Sequence, residues 1–373
     1  MNEIVICIGA GRSQLDYILN IRMMGYKVFC VDRNSDSPGF EIANDYIVTS
    51  TYDFEKTPRL ILDKLGQNFK IIGAIAPCTG PPYRTLQITK KLYGLPFVRE
   101  KFISILLDKV LLRNKFNELG LSKIKIYNNN DEIEKSHFPL VKKPRFDGMG
   151  GVGVELFLDY NQYRKMYSCN TIDQKYVYEE LIYGTELAID AIWSDNEIYI
   201  INIGYNIFEE NKIIGSTSEP IESMKRYIPK LSQMLLKLCK YFNFTREVLN
   251  IDVIIDTNQN LHIIEIEFVP ADGLIHSKPK GYNFVYNYLK CHFEKRIDGP
   301  NTTDSLSMIF SDRIGKKHTI LKDEINYIKI KSNNRSVNNT GFHCFYSKSN
   351  EKLSTFINTN YPMISFKRNY IEK

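Results

Sequence analysis

Short apolar runs alternate with longer mixed segments through the first hundred residues. Ile4-Val5-Ile6-Cys7-Ile8 is a β-rich run, Leu15 to Met24 carries a helical pattern, and Lys27-Val28-Phe29-Cys30-Val31 is a second β-rich run. The same pattern predicts strands at Tyr46 to Val48 and Ile71 to Ala76, with helices near Phe54 to Leu65 and Tyr83 to Tyr93. Such alternation implies a doubly wound parallel sheet, here ending near Pro96. One helix, from about Phe102 to Leu119 and closed by Gly120, is expected to bridge to the next region. From Lys123 to about His292 the pattern turns to hairpin-like strands with a few helices (α+β), including strands at Pro139 to Lys143, Val152 to Phe157, Lys175 to Leu181 and Leu187 to Trp193. The tail mixes β-type stretches such as Tyr327-Ile328-Lys329-Ile330 with Asn-rich turns and is expected to form a small β-rich cap.

Composition narrows the classes. A chain of 373 residues suits two or three packed units, and 43% hydrophobic with 25% charged residues is ordinary globular usage. No run reaches the roughly 18 apolar residues of a membrane helix, so no membrane partner is expected. Met1 to Gly9 holds Glu3 and lacks the basic flank and cleavage site of a signal peptide, which points to the cytoplasm. The 7 cysteines never form a C-x-x-C pair, which argues against a disulfide framework or a zinc site. The charge of +6 is spread over 49 basic and 43 acidic residues without a block of five like charges, so no nucleic-acid partner is expected.

Three segments carry candidate chemistry. Pro139-Leu140-Val141-Lys142-Lys143-Pro144 runs into Asp147-Gly148-Met149-Gly150-Gly151-Val152-Gly153. Glycines let backbone N–H groups approach phosphate oxygens and lysine adds a point charge, although a plain Gly-rich hairpin has the same pattern. Adjacent strand residues face opposite ways, so Lys143 is expected to act on phosphate and Lys142 to matter little. Next, Tyr176-Val177-Tyr178-Glu179-Glu180-Leu181-Ile182-Tyr183-Gly184-Thr185-Glu186 is an apolar strand ending in acids, either a reader of an adenine edge and ribose hydroxyls or an exposed acidic turn. Last, Asn250 to Asp256 pairs through Thr257-Asn258-Gln259-Asn260 with Leu261 to Glu267. Period-two alternation puts Glu265 and Glu267 on one side, with Asp252 on the partner strand. Hard oxygen ligands gathered this way suit Mg²⁺ or Mn²⁺ on nucleotide phosphates, and otherwise form a solvated acidic face.

The three segments, in this order and with Asp108-Lys109 opening the bridging helix, resemble the ATP-grasp superfamily over nearly the whole chain. The resemblance implies a pre-ATP-grasp α/β domain at residues 1–98 and an ATP-grasp domain at 99–298. It also implies a mobile glycine-rich part near 121–184 and a cap at 299–373. Lys109 and Lys143 become the catalytic phosphate lysines, and Gly148, Gly150, Gly151 and Gly153 a flap over the phosphates. Glu179 would meet the adenine amino group, with the backbone of Glu180 and Ile182 completing that edge, and Glu186 would bind ribose. Asp252, Glu265 and Glu267 would hold the metal ions. Where relatives read E-x-N-x-R, this chain has Glu267 and Val269, so the family's usual arginine is absent.

The implied activity is an ATP- and Mg²⁺-dependent ligase that activates a small-molecule carboxylic acid as an acylphosphate and joins it to an amine. The alternatives are a carboxylase using bicarbonate, an NAD-dependent oxidoreductase and a silent nucleotide-binding regulator. Gly9-Ala10-Gly11-Arg12-Ser13-Gln14 with Asp32 partly matches a dinucleotide fingerprint, but Gln14 stands where a third glycine belongs. Arg12 and Thr79, at carboxyl ends of strands, and Asp272 and His276, beyond the acid hairpin, are substrate candidates that read equally as ordinary turns. By family analogy the chain is compatible with a homodimer.

Overall fold

The computed structural model describes residues 3–66, 69–127, 133–146, 152–167, 173–209, 212–269 and 282–297, with short stretches at 306–311, 326–331, 341–347, 351–353 and 355. Its first sheet holds β1 (Glu3–Ile8), β2 (Lys27–Asp32), β3 (Asp45–Val48) and β4 (Lys70–Ile75). The strands are parallel in the order β3-β2-β1-β4. The apolar runs of β1 and β2 are buried because helices cover both faces of such a sheet. Those helices are α1 (Leu15–Met23), α2 (Thr57–Leu65) and α3 (Pro82–Leu92), within a few residues of their expected bounds. Strand order reverses between β1 and β4, so the loops after them open onto one crevice.

The bridging segment departs from expectation. It is two helices, α4 (Glu100–Leu106) and α5 (Lys109–Glu118), separated by Asp108. Asp108 caps α5, accepting from the backbone N–H groups of Val110 at 2.9 Å and Leu111 at 3.3 Å. An aspartate cap satisfies amides that a continuous helix would not leave free, so the chain breaks there and Lys109 becomes the first residue of α5.

A small antiparallel sheet follows in the order β5-β8-β6-β7: β5 (Ile126–Tyr127), β6 (Leu140–Pro144), β7 (Glu155–Phe157) and β8 (Tyr176–Glu180), with α6 (Tyr160–Met166) beside it. The third sheet is antiparallel and has the order β13-β12-β9-β10-β11-β14-β16-β15. Its strands are β9 (Gly184–Ser194), β10 (Glu197–Glu209), β11 (Lys212–Ser218), β12 (Arg246–Asp256), β13 (Leu261–Glu267), β14 (Leu306–Ser311), β15 (Asn326–Lys331) and β16 (Gly341–Ser347). The tail is β-rich as expected, and its strands continue the edge of this sheet.

Helix α7 (Ile228–Phe242) buries Leu231, Leu235, Leu238 and Phe242, spaced to form one stripe, against the face that carries Ile189, Trp193 and Ile251. Helix α8 (Phe284–Glu294) buries Phe284, Tyr288 and Leu289 in a second core shared with Tyr17, Ile18, Ile192 and Val248. That core holds the parallel sheet against the long one, which fixes the crevice between them.

Candidate active site

β6 sends neighbouring lysines to opposite faces. Lys142, 3% exposed, packs into the small sheet's core, 3.2 Å from Glu155 and 2.6 Å from the Tyr167 hydroxyl. Its ammonium also lies over the Tyr167 and Tyr176 rings at 4.0 and 3.9 Å from their centres. Lys142 thus has a structural part, since its removal would leave Glu155 without this cation in a partly dry setting. Lys143 points the other way and reaches Glu179 at 2.8 Å. Register explains the pairing, since Val141 lies opposite Glu179 and Lys143 shares the face of Val141.

Arg113 of α5 holds the other oxygen of Glu179 at 2.7 Å. It also donates to the carbonyls of Ile263 at 2.5 Å and Ile264 at 2.8 Å, and to the Ser122 hydroxyl at 3.3 Å. Burial would raise the Glu179 carboxyl, but Arg113 and then Lys143 outweigh it and hold it down at about 2. Both oxygens of Glu179 are thus engaged by cations, and in this conformation the residue anchors Lys143. A second clamp joins the small sheet to α5. Arg145 reaches Asp108 with two bonds of 2.9 and 2.6 Å, while its carbonyl accepts from the Lys109 N–H at 3.2 Å.

The acid hairpin lies across the crevice. Asp252 is opposite Glu265 and Asn250 opposite Glu267, so all four side chains share one face of the β12–β13 pair. Glu186 enters the same face from β9, opposite Ile254. Burial, then Glu186, Glu265 and Glu267, drive the Asp252 carboxyl well above its ordinary range. Burial and Glu265 push Glu267 up to about 7, although Lys109 draws it down. Lys109 also sits 3.1 Å from Glu265.

The described residues contain no ready-made group of three metal ligands. The chemistry still fits a hard cation. Carboxylates crowd together with one nearby lysine, and Mg²⁺ is commonly held by one or two carboxylates, the substrate's phosphates and water. Asp252, Glu265 and Glu267 would be the residues to hold it.

The two halves meet in a cleft, open to solvent, whose walls include Thr79, Lys109, Lys143, Glu265, Glu267 and Phe268. Thr79 is brought in from the β4–α3 loop. Arg12 is exposed and is not part of this wall. Glu180 exchanges bonds with Lys125, its N–H donating to the Lys125 carbonyl at 2.9 Å and its side chain accepting at 3.3 Å. With half-buried Ile182 it forms the turn between the small and long sheets. Gly153 has φ +77°, and a Cβ there would come within 2.9 Å of Pro144, so the descending arm of the glycine segment needs glycine at that point. Gly148, Gly150, Gly151, Asp272 and His276 lie outside the described residues.

Sequence reasoning missed Arg113, Arg145 and Tyr83. Asp108 as a helix cap was the signal that could have found the first two, because it sets the start of α5 and therefore its faces. The dinucleotide fingerprint is used otherwise. Asp32 accepts from the Ala10 N–H at 2.8 Å and Gln14 donates to the Pro77 carbonyl at 2.6 Å, so both residues tie loops together.

With this geometry in place, residues 150–277 match the family model of the ATP-grasp domain, the segment that supplies the acid hairpin and the turn at Glu180 to Ile182. Over those residues the chain is similar to the ATP-grasp domain. Its similarity to N5-carboxyaminoimidazole ribonucleotide synthase of Staphylococcus epidermidis is 24% identity over 266 residues, covering 69% of this chain and 68% of that one. In fold, it resembles N5-carboxyaminoimidazole synthetase of Staphylococcus aureus, crystallised with ADP, at a TM-score of 0.75 and 15% identity over 96% of each chain. The L-amino acid ligase of Bacillus licheniformis superposes at a TM-score of 0.71 with 15% identity, over 97% of this chain and 98% of that one. The mixed α/β architecture of an ATP-grasp protein, with its parallel N-terminal sheet, is therefore as the sequence implied. Among the described residues, no helix is long and apolar enough to cross a membrane.

Proposed function

We propose that this protein is an ATP- and Mg²⁺-dependent ligase that phosphorylates a small carboxylic acid and passes the acyl group to an amine. One observation carries the reading: Lys109, Lys143, Glu265 and Glu267 line a single cleft. Two cations and two hard acids around one space suit a nucleotide, whose phosphates the lysines would meet and whose metal ion Glu265 and Glu267 would hold. When bound, Mg²⁺ would neutralise charge on the transferred phosphoryl group. The protein's own part is positional. Glu179 and Arg113 hold Lys143, the Asp108–Arg145 clamp sets the start of α5 against the small sheet, and Lys109 projects from that start toward Glu265. Closure of the residue 148–153 segment, if it acts as a flap, would keep water from the acylphosphate.

The amine reading gains support from the fold shared with an L-amino acid ligase. A carboxylation using bicarbonate is the alternative, since the chain is also similar to a carboxyaminoimidazole ribonucleotide synthase. One assay separates them: phosphate release from ATP and Mg²⁺ in the presence of pooled amino acids, or of bicarbonate with pooled amines. Release that needs both a carboxylic acid and an amine supports the ligase, and release driven by bicarbonate without another acid supports the carboxylase. Absence of ATP binding by calorimetry would remove both.

A further inference from the structure

On the far side of the junction between the parallel sheet and the long sheet lies a second cavity, of about 260 Å³. It has a polar end and an apolar end. Lys90, Arg246, His292 and Lys295 line one part, with Glu247 as the acid, while Ile72, Leu95, Pro96 and Phe293 supply apolar walls. Lys90 is 5% exposed, as is Glu247, yet they stand 3.8 Å apart, beyond hydrogen-bond reach. A buried ammonium held this loosely keeps donor capacity to spare.

Two further nitrogens of this lining lack a partner. Nε of Arg246 and Nε2 of His292 are buried without a hydrogen-bond partner, although Arg246 uses another nitrogen to reach Asp195 at 2.9 Å on its outer flank. Burial, then Lys90 and Arg246, press the His292 pKa well below its ordinary value, which is how a ring behaves under positive potential. Loose Lys90 and unsatisfied Arg246 are costly to keep buried unless something meets them. The floor is shaped as well. Gly73 of β4 has no Cβ, and one placed there would meet the Phe293 ring at 2.3 Å, so glycine lets that ring form the apolar wall.

We propose that this cavity is an anion-binding site, separate from the nucleotide cleft, for a small phosphomonoester with an apolar body. The phosphate would sit between Lys90, Arg246 and Lys295, and the body against Leu95, Pro96 and Phe293. Three cations stand against two acids, Glu247 in the lining and Asp195 on the outer flank of Arg246, and the remaining positive charge favours an anionic head. The site is physically joined to the nucleotide cleft through Tyr83. Its hydroxyl meets Glu247 at 3.4 Å, and its ring stacks on Phe268 at 4.1 Å between centres.

The test uses full-length protein and its single tryptophan. Trp193 is the strand partner of Glu247, so its fluorescence reports on this cavity. Phenyl phosphate is the probe, with inorganic phosphate (head alone) and benzyl alcohol (body alone) as comparisons, each with and without saturating ADP and Mg²⁺. Saturable binding of phenyl phosphate, tighter than either comparison and retained with ADP, is expected. Arg246→Met and Lys295→Met should each weaken it about tenfold, the loss of one charged contact. Lys295 is exposed, so its variant keeps the test valid if Arg246→Met proves unstable by circular dichroism. No saturable signal up to about 10 mM, binding abolished by ADP, or binding indifferent to a folded variant would each overturn the site.

Discussion

Carboxylates of the small sheet and of the long sheet behave in opposite ways. Glu179 in the small sheet is clasped by Arg113 and Lys143 and is held down at about 2. Asp252 and Glu267 in the long sheet face other acids and are driven upward, Glu267 to about 7. Burial acts the same way on all three, so the difference lies in the partners. Where charge is already balanced, the acid is a fastener for the scaffold. Where it is not, the crowded acids fit the cation of the proposed function.

Removing the fastener should have the largest effect. Arg113→Met would leave Glu179 with one cation and strip bonds from the Ile263 and Ile264 carbonyls, so unfolding free energy should fall by about 3–5 kcal/mol in urea titration. A loss under about 1 kcal/mol would show that the pair does not support the scaffold.

In the long sheet the balance should invert, with chemistry lost and stability kept. Glu265→Gln is expected to cut Mg²⁺-dependent phosphate release on the order of a hundredfold. Metal-free stability should change by less than about 1 kcal/mol, because relief of repulsion offsets loss of the partly exposed Lys109 pair. Full activity with an unchanged Mg²⁺ requirement would place the metal elsewhere.

The acids also predict a pH response. A carboxyl raised in the folded state binds its proton more tightly there than when unfolded. Glu267 therefore costs nothing below its ordinary range and destabilises progressively as pH rises toward about 7. Without Mg²⁺, thermal stability should decline between about pH 4.5 and 7, by about 2 kcal/mol after allowing for partial exposure. Glu267→Gln should flatten the decline, and a stability that rises across this window in the parent protein would contradict the assignment.

The smallest effect separates the two lysines of β6. Lys142→Met should cost about 1–2 kcal/mol of stability by taking the cation from Glu155 and Tyr167, with nucleotide affinity within about threefold. Lys143→Met should weaken ADP binding about tenfold or more by calorimetry. Equal losses of affinity would mean that the small sheet, rather than Lys143 itself, decides nucleotide binding.

Much of this architecture was legible in the chain because it rests on short-range pattern. Fully apolar runs such as Ile4 to Ile8 and Val28 to Val31 can only be buried strands, and the acids of β12 and β13 announce a shared face through period-two spacing. Lys143 and Lys109, which the family resemblance singled out, both line the cleft. What tertiary structure alone decided is which charges meet. Arg113 lies 66 positions from Glu179 and 150 from Ile263, and Tyr83 lies 164 from Glu247. No local period carries such pairings. They follow from how α5 lies against two sheets, and burial then turns each pairing, or its absence, into a fastener or a site.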